Sequence, residues 1–311
     1  MNWHLFVTEL GSGVTHGCVY ALIALGYSIV YGILKLLNFA HGDVYMVGAF
    51  IGYGWVTVFG GSFAMHANVV LLLVLMFTSS MLGGGLLGVA IERFAYRRLR
   101  TAPRIAPLIT ALGVSFFLEN AAQLILGAQQ QQYNPFGWLT TPVAAKGWFL
   151  PSHVLFSYAH AIVIAGTIIL MVVLTWFVQR TQTGKAMRAT SFDREAAAMM
   201  GIDVDRVIVV TFFIGSALAG AAGVFNGIEY SQVFPFMGFQ AGLFAFTAAV
   251  VGGIGNLPGS VAGGLLIGLA EAFATGYVSS TFQQAVVFAI LIVVMLVRPS
   301  GLFGRAAVQK V

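Results

Sequence analysis

Val207-Ile208-Val209-Val210-Thr211-Phe212-Phe213-Ile214-Gly215-Ser216-Ala217-Leu218-Ala219-Gly220-Ala221-Ala222-Gly223-Val224-Phe225-Asn226 is a run without one charged side chain. A helix needs about 20 such residues to cross the hydrocarbon core of a bilayer. The run lacks the apolar–polar alternation, over about ten positions, of a membrane β-barrel strand. Similar blocks cover Leu10–Leu34, a stretch ending near Phe59, Asn68–Ile91, Ile105–Gly127, Val154–Val178, Ala241–Gly252, Ser260–Tyr277 and Phe282–Val297. The expected fold is all-α: a polytopic helical membrane protein with eight or nine membrane segments, forming a single transmembrane domain over residues 1–311. Ala241–Gly252 and Phe282–Val297 are short enough to read as half-helices or re-entrant segments.

Composition agrees. Hydrophobic residues make up 59% of the 311 residues and charged residues 8%, where a soluble domain carries roughly 25% charged residues. This excludes a soluble enzyme, a disordered chain and a disulfide scaffold. Cys18 is the single cysteine, so an intrachain disulfide is impossible and no thiolate metal cluster is expected. No histidine pair has zinc-ligand spacing, and no metal site is expected. Met1–Gly11 holds no Lys or Arg and so lacks the basic start of a signal peptide. The net charge of +5 reports loop sidedness rather than nucleic-acid binding.

The cations are clustered. Of 15 Lys and Arg, five lie in Arg93–Arg104, five in Arg180–Arg206 and three in Arg298–Lys310. The positive-inside rule puts these clusters in the cytoplasm. Nine spans then alternate consistently, with the N-terminus and Lys146 outside and the C-terminus inside. Gly83-Gly84-Gly85-Leu86-Leu87-Gly88-Val89-Ala90 matches Gly263-Gly264-Leu265-Leu266-Ile267-Gly268-Leu269-Ala270 at five of eight positions. The two octapeptides lie in spans of opposite direction, as an inverted-topology repeat would place them, although helices rich in glycine, alanine and leucine also match by chance.

The segment 179–206 is the most charged in the chain. Thr190 or Ser191 is placed to N-cap a short helix, with Asp193 and Glu195 in the first turn, where the helix dipole favours anions. Ala196–Met200 propagates the helix and Gly201 ends it. Such a helix is either a membrane-surface connector or a knob that docks into a groove of a cytoplasmic partner. Phe and Met side chains suit the second role.

Gly252, Gly253, Gly255, Asn256, Pro258 and Gly259 form a glycine-rich structural loop between two spans. Backbone of this kind cannot face lipid and must lie in protein or beside a cavity. No Gly-Lys-Ser/Thr tripeptide occurs, so the chain has no visible ATP site. His41, Asp43, Glu119 and Glu271 are ionisable residues within or beside the spans, and such residues are functional candidates. Each has an alternative as an interfacial or hydrogen-bonded packing residue, and His41 and Asp43 also read as a turn at the membrane edge. The lone histidines His16 and His160 read as structural hydrogen-bonding groups.

Together, Tyr20–Tyr27, Tyr31–Asp43, Gly184–Gly201, Gly252–Gly264 with Gly268 and Glu271, and Arg298-Pro299-Ser300-Gly301-Leu302-Phe303-Gly304 resemble the LivH-type branched-chain amino acid permeases. Ala128–His153 has no correspondence. The resemblance implies a permease subunit of an ATP-binding-cassette importer in the bacterial inner membrane, carrying leucine, isoleucine and valine. It implies a second permease (LivM type), two cytoplasmic ATPases and a periplasmic binding protein as partners. ATP would be hydrolysed by partner subunits, with no cofactor on this chain. Gly184, Arg188, Phe192, Asp193, Glu195, Ala197, Met200 and Gly201 would couple it to the ATPase. Asn38, His41, Asp43, Glu119, Asn120 and Glu271 are candidates for the translocation path.

Two other readings stand beside it. A proton-coupled secondary transporter would use Asp43, Glu119 and Glu271 to carry protons. A scaffold subunit would use the same residues for packing alone. Related permeases also take urea and short amides, which leaves the cargo open within the family.

Overall fold

In a computed structural model, residues 3–59, 69–100, 102–103, 105–133 and 157–304 are described. The turn Gly60-Gly61-Ser62, Arg104, Lys146, Arg305 and Lys310 lie outside the described residues, as does most of the Ala128–His153 loop. The helices are α1 (Trp3–Leu34), α2 (His41–Phe59), α3 (Val69–Ile91), α4 (Ile105–Leu126), α5 (Tyr158–Arg180), α6 (Gln182–Phe192), α7 (Arg194–Met199), α8 (Val204–Tyr230), α9 (Met237–Gly252), α10 (Leu257–Tyr277) and α11 (Gln283–Val297). Among the described residues, seven helical runs are long and apolar enough to cross a membrane. Helices α2 and α9 bring the apolar segments to the nine read from the sequence.

The boundaries differ from the sequence reading in four main places. Helix α1 begins at Trp3 rather than Leu10, and α8 extends at both ends, starting from the cap Asp203, whose carboxylate accepts from Arg206 N at 3.0 Å. The basic segment after α3 stays helical through a π turn, Glu92–Tyr96, and a 3-10 turn, Arg97–Leu99. The last span is not half-length, because a 3-10 turn at Ser280–Phe282 extends it to 18 residues. Only α9, at 16 residues, stays short. Gln131–Gln132 (β1) pairs antiparallel with Gln232–Val233 (β2).

Helices α1 and α8 occupy the centre: 89% and 78% of their apolar windows are buried, against 6% for α11 and 17% for α4. They run antiparallel, with His16 meeting Tyr230 and Gly26 meeting Gly215. Small residues let the backbones of membrane helices approach closely, because packing rather than water exclusion drives association in lipid. A Cβ at Gly84 of α3 would lie 2.8 Å from the Ser216 carbonyl of α8, and one at Gly264 of α10 would lie 2.6 Å from Ala21 Cα of α1. The two matched octapeptides thus do the same work on the two central helices. Exchanging α1 with α8, α2 with α9, α3 with α10 and α4 with α11 maps the packed pairs onto one another. The α1–α10 pair becomes α8–α3, α2–α3 becomes α9–α10, and α2–α4 becomes α9–α11. With α1 and α8 antiparallel, this is the inverted repeat that the octapeptides suggested.

Candidate functional site

The charged segment builds two helices, not one. Thr181 turns extended after α5 and its hydroxyl accepts from Gly184 N at 3.0 Å, which starts α6. Gly184 is buried against the end of α5, where a Cβ would strike the Phe177 and Val178 carbonyls. Thr190 and Ser191 lie inside α6 and bond back to the Ala186 and Arg188 carbonyls, each at 2.8 Å. The expected cap is therefore displaced. Asp193 adopts the extended conformation (φ −153°, ψ 118°) and its carboxylate accepts from Glu195 N at 2.9 Å and Ala196 N at 3.0 Å. An N-cap requires that non-helical backbone together with a short acceptor side chain; Asp193, expected in the first turn, has both, while Thr190 and Ser191 are helical.

Helix α7 ends at Gly201, whose φ of +84° suits glycine. Ala197 is buried on its inner side, while Glu195 and Arg188 face outward. Arg188 donates to the Gln179 carbonyl at 3.3 Å. Phe192, Met199 and Met200 are 94%, 82% and 83% exposed. Three large apolar side chains thus stand out of a polar, basic face.

Sequence reading missed how this unit is anchored. Arg194, the first residue of α7, donates from Nε to the Ile33 carbonyl at 2.8 Å and makes a second bond to it from Nη2. A cation on the last carbonyls of α1 meets the negative end of that helix. Burial, and then the charge of Arg100, hold the Arg194 guanidinium below its ordinary pKa. Lys35, just past the end of α1, is lowered by burial and then by Arg194. Beside them, the buried carboxylate of Glu92 accepts from Arg100, which also bonds Asp205, while Arg97 reaches Asp205 at 3.1 Å. The end of α3 is thereby tied to the start of α8. The signal for Glu92 and Arg100 was present in the basic run, but their partner on α8 lies more than a hundred residues away.

The glycine loop lies at the same end. Gly252 and Gly259 pack backbone to backbone, and Gly253 takes φ +104° with Gly304 against it. Leu302 N donates to the Val251 carbonyl at 2.8 Å and Phe303 N to the Gly252 carbonyl at 3.1 Å. Asn256 donates to the Phe303 carbonyl at 2.8 Å, and its Oδ1 accepts from Gly259 N at 3.3 Å, capping α10 with Pro258 in the first turn. Gly255 N donates to Ser28 Oγ at 3.3 Å, which ties the loop to α1.

His41 and Asp43 are buried inside the protein rather than on its surface. The His41 ring fills the space beside Gly26 of α1, eight residues or about 12 Å in from the end of that helix. It packs edge-on to Tyr27 at 4.8 Å. Helix α2 therefore begins inside the protein, and α9 begins beside it: a Cβ at Gly238 would lie 2.6 Å from Asp43 Oδ1. Asp43 is buried between the first turns of two helices. Ser115 and Glu119 of α4 are its electrostatic neighbours. Asn38 accepts from Tyr96 Oη at 3.2 Å. Asn38, His41, Asp43 and Glu119 are thus brought to one region.

Asn120 and Glu271 are not part of it. Asn120 lies on the exposed face of α4 and donates to the Phe116 carbonyl of its own helix at 2.7 Å. Glu271 lies toward the opposite end of α1, accepting from Gln283 at 2.6 Å with His16 Nδ1 at 3.7 Å. His16 in turn bonds Tyr230 Oη at 2.7 Å, and His160 lies 3.2 Å from Glu229. These polar groups join α1, α5, α8, α10 and α11 on the side away from the arginines.

Residues 10–295 match the family model described as branched-chain amino acid transport system / permease component. The chain is 40% identical over 313 residues to the high-affinity branched-chain amino acid transport system permease protein BraD of Pseudomonas aeruginosa, with 98% of each chain covered. It is 39% identical over 312 residues to LivH of Escherichia coli K12, again with 98% of each covered. A more distant relative is the probable branched-chain amino acid transport permease protein LivH of Methanocaldococcus jannaschii, 25% identical over 95% of this chain and 91% of that one.

Proposed function

This chain belongs to the branched-chain amino acid transport permease family, and we propose that it is one permease subunit of an ATP-binding-cassette importer of the inner membrane. Leucine, isoleucine and valine are its cargo, handed over by a periplasmic binding protein. Its partners are a second permease of LivM type and two cytoplasmic ATPases, which hydrolyse the ATP. The basic face is cytoplasmic, as the positive-inside rule requires, with the N-terminus periplasmic and the C-terminus cytoplasmic.

The observation that carries this reading is the α6–α7 unit. Its apolar tip of Phe192, Met199 and Met200 is exposed, while its root is bonded through Arg194 to the end of α1. Exposed apolar side chains on a rigid, anchored helix pair are what a docking knob needs. Closing of the ATPase dimer on ATP shifts the knob. Arg194 passes the shift to α1, and the close-packed glycine contacts of α1 with α10 pass it into the membrane. Helix α2, starting at depth beside α1, places Asn38, His41 and Asp43 where such a movement reaches them. These residues and Glu119 are the polar groups along the path of a zwitterion.

A photo-reactive residue at Phe192 or Met199 tests the docking. The account expects cross-linking to the ATPase from these positions and none from Phe117, which is also exposed but lies on α4. Cross-linking to lipid or to the partner permease from Phe192 and Met199, with none to the ATPase, would make α6–α7 a surface connector.

A further inference from the structure

We infer that a cleft on the basic face, between the end of α1, the end of α5, α6 and the glycine loop, binds a phosphate group, that of an anionic phospholipid headgroup. Its volume is about 760 Å³, and Lys35, Arg180, Arg188, Ser191, Gly255 and Asn256 are among the residues that line it. Among the described residues, no carboxylate lines it. Among the described residues, none of the three cations has an ion-pair partner. Elsewhere on the same face Arg97 and Arg100 are paired with Asp205 and Glu92. Arg188 has only a backbone carbonyl at 3.3 Å, and Lys35 lies 5.8 Å over the ring of Tyr31. Three like charges around one hollow repel each other unless an anion sits among them. Ser191 and Asn256 add polar groups suited to phosphate oxygens.

The position in the fold selects a lipid over a soluble anion. The cleft opens where α1 and α5 finish their apolar runs. Trp176, 61% exposed, stands one turn before Arg180 on α5, and tryptophan favours the headgroup level of a bilayer. Val172 and Val173 continue the exposed apolar face of α5 from there, a track for an acyl chain. Ile33 and Val178 give the cleft an apolar wall for the glycerol backbone. Basic pockets between helices on the cytoplasmic side are suited to phospholipid headgroups. The inference does not depend on the cargo or on ATP coupling.

The test uses the full chain, purified and reconstituted into nanodiscs of phosphatidylcholine doped with phosphatidylglycerol, with bound lipid quantified by mass spectrometry. The wild type is expected to retain phosphatidylglycerol in preference to phosphatidylcholine. Lys35→Gln with Arg180→Gln is expected to weaken that preference by about fivefold per charge removed, the equivalent of about 1 kcal/mol for each cation near an anionic surface. Lys35→Arg with Arg180→Lys keeps the charges and the preference, which separates charge loss from misfolding. Inorganic phosphate distinguishes the sources: failure to displace the lipid supports the headgroup, and displacement supports a site for free phosphate. An unchanged preference in the double Gln variant overturns the proposal. So does a double Gln variant that loses ATPase binding while keeping its lipid preference, which would assign these cations to a protein interface.

Discussion

Replacing Arg194 by alanine tests the link between α7 and α1. The substitution removes two N–H donors from the Ile33 carbonyl. A hydrogen bond from a charged donor contributes about 1.5–3 kcal/mol, and a cation at a helix C-terminus about 0.3–1 kcal/mol. Arg194 is only partly buried, so water replaces part of the lost interaction, and the net effect is about 1–2 kcal/mol. That loosens the joint by about 5–30-fold. Two assays read it in reconstituted vesicles containing all subunits. Amide exchange at residues 194–199 should quicken by that factor, and solute imported per ATP hydrolysed should fall while the ATPases stay bound. Arg194→Lys should recover part of the coupling, because an ammonium offers the charge without the forked geometry. Unchanged exchange and unchanged stoichiometry in Arg194→Ala would refute the idea that force passes through this contact.

Other outcomes follow from the same structure. Phe192→Ser should leave the thermal midpoint of the permease within about 1 °C, since the ring is 94% exposed and surface changes typically shift stability by at most about 0.5 kcal/mol, yet it should cut ATPase affinity about tenfold or more, as burial of an aromatic anchor predicts. Arg100→Ala leaves the Glu92 carboxylate buried without its partner and should cost about 3–5 kcal/mol. Adding Glu92→Gln should recover much of that loss in a double-mutant cycle of thermal midpoints. Gly268→Val drives a side chain into the Gly17 backbone and should separate α1 from α10, whereas Gly113→Val on α4, with open space around it, should be tolerated; detergent stability compares the two.

Much of the fold was legible because a bilayer imposes a length. Apolar blocks near 20 residues can do little else than span it, and the paired octapeptides offered an inverted repeat that the helix packing then decided. What hydropathy does not carry is depth. Nothing local marks that α2 starts beside Gly26, because that follows from a glycine on another helix leaving room for the His41 ring. The cap of α7 was ambiguous for a related reason. Thr190 and Ser191 were the expected caps, but aspartate has the same cap chemistry, and the backbone turn that singles out Asp193 is set by α6 running to Phe192.

The site divides along the same line. The exposure of Phe192 and Met200 and the end of α7 at Gly201 follow from local pattern. The Arg194–Ile33 bond joins residues 161 positions apart and leaves no trace in either segment. That Asn120 stands apart from the other polar candidates was legible: Pro107, Ala111, Ser115 and Glu119 form the buried stripe of α4, and the residue after Glu119 must turn about 100° away from it.

The most direct test of the central claim is solute uptake by this chain reconstituted with the second permease, two ATPases and the binding protein, comparing leucine with urea. The account predicts leucine uptake that requires ATP and is lost when any partner is omitted. Uptake of leucine by this chain alone, driven by a proton gradient and indifferent to ATP, would contradict it.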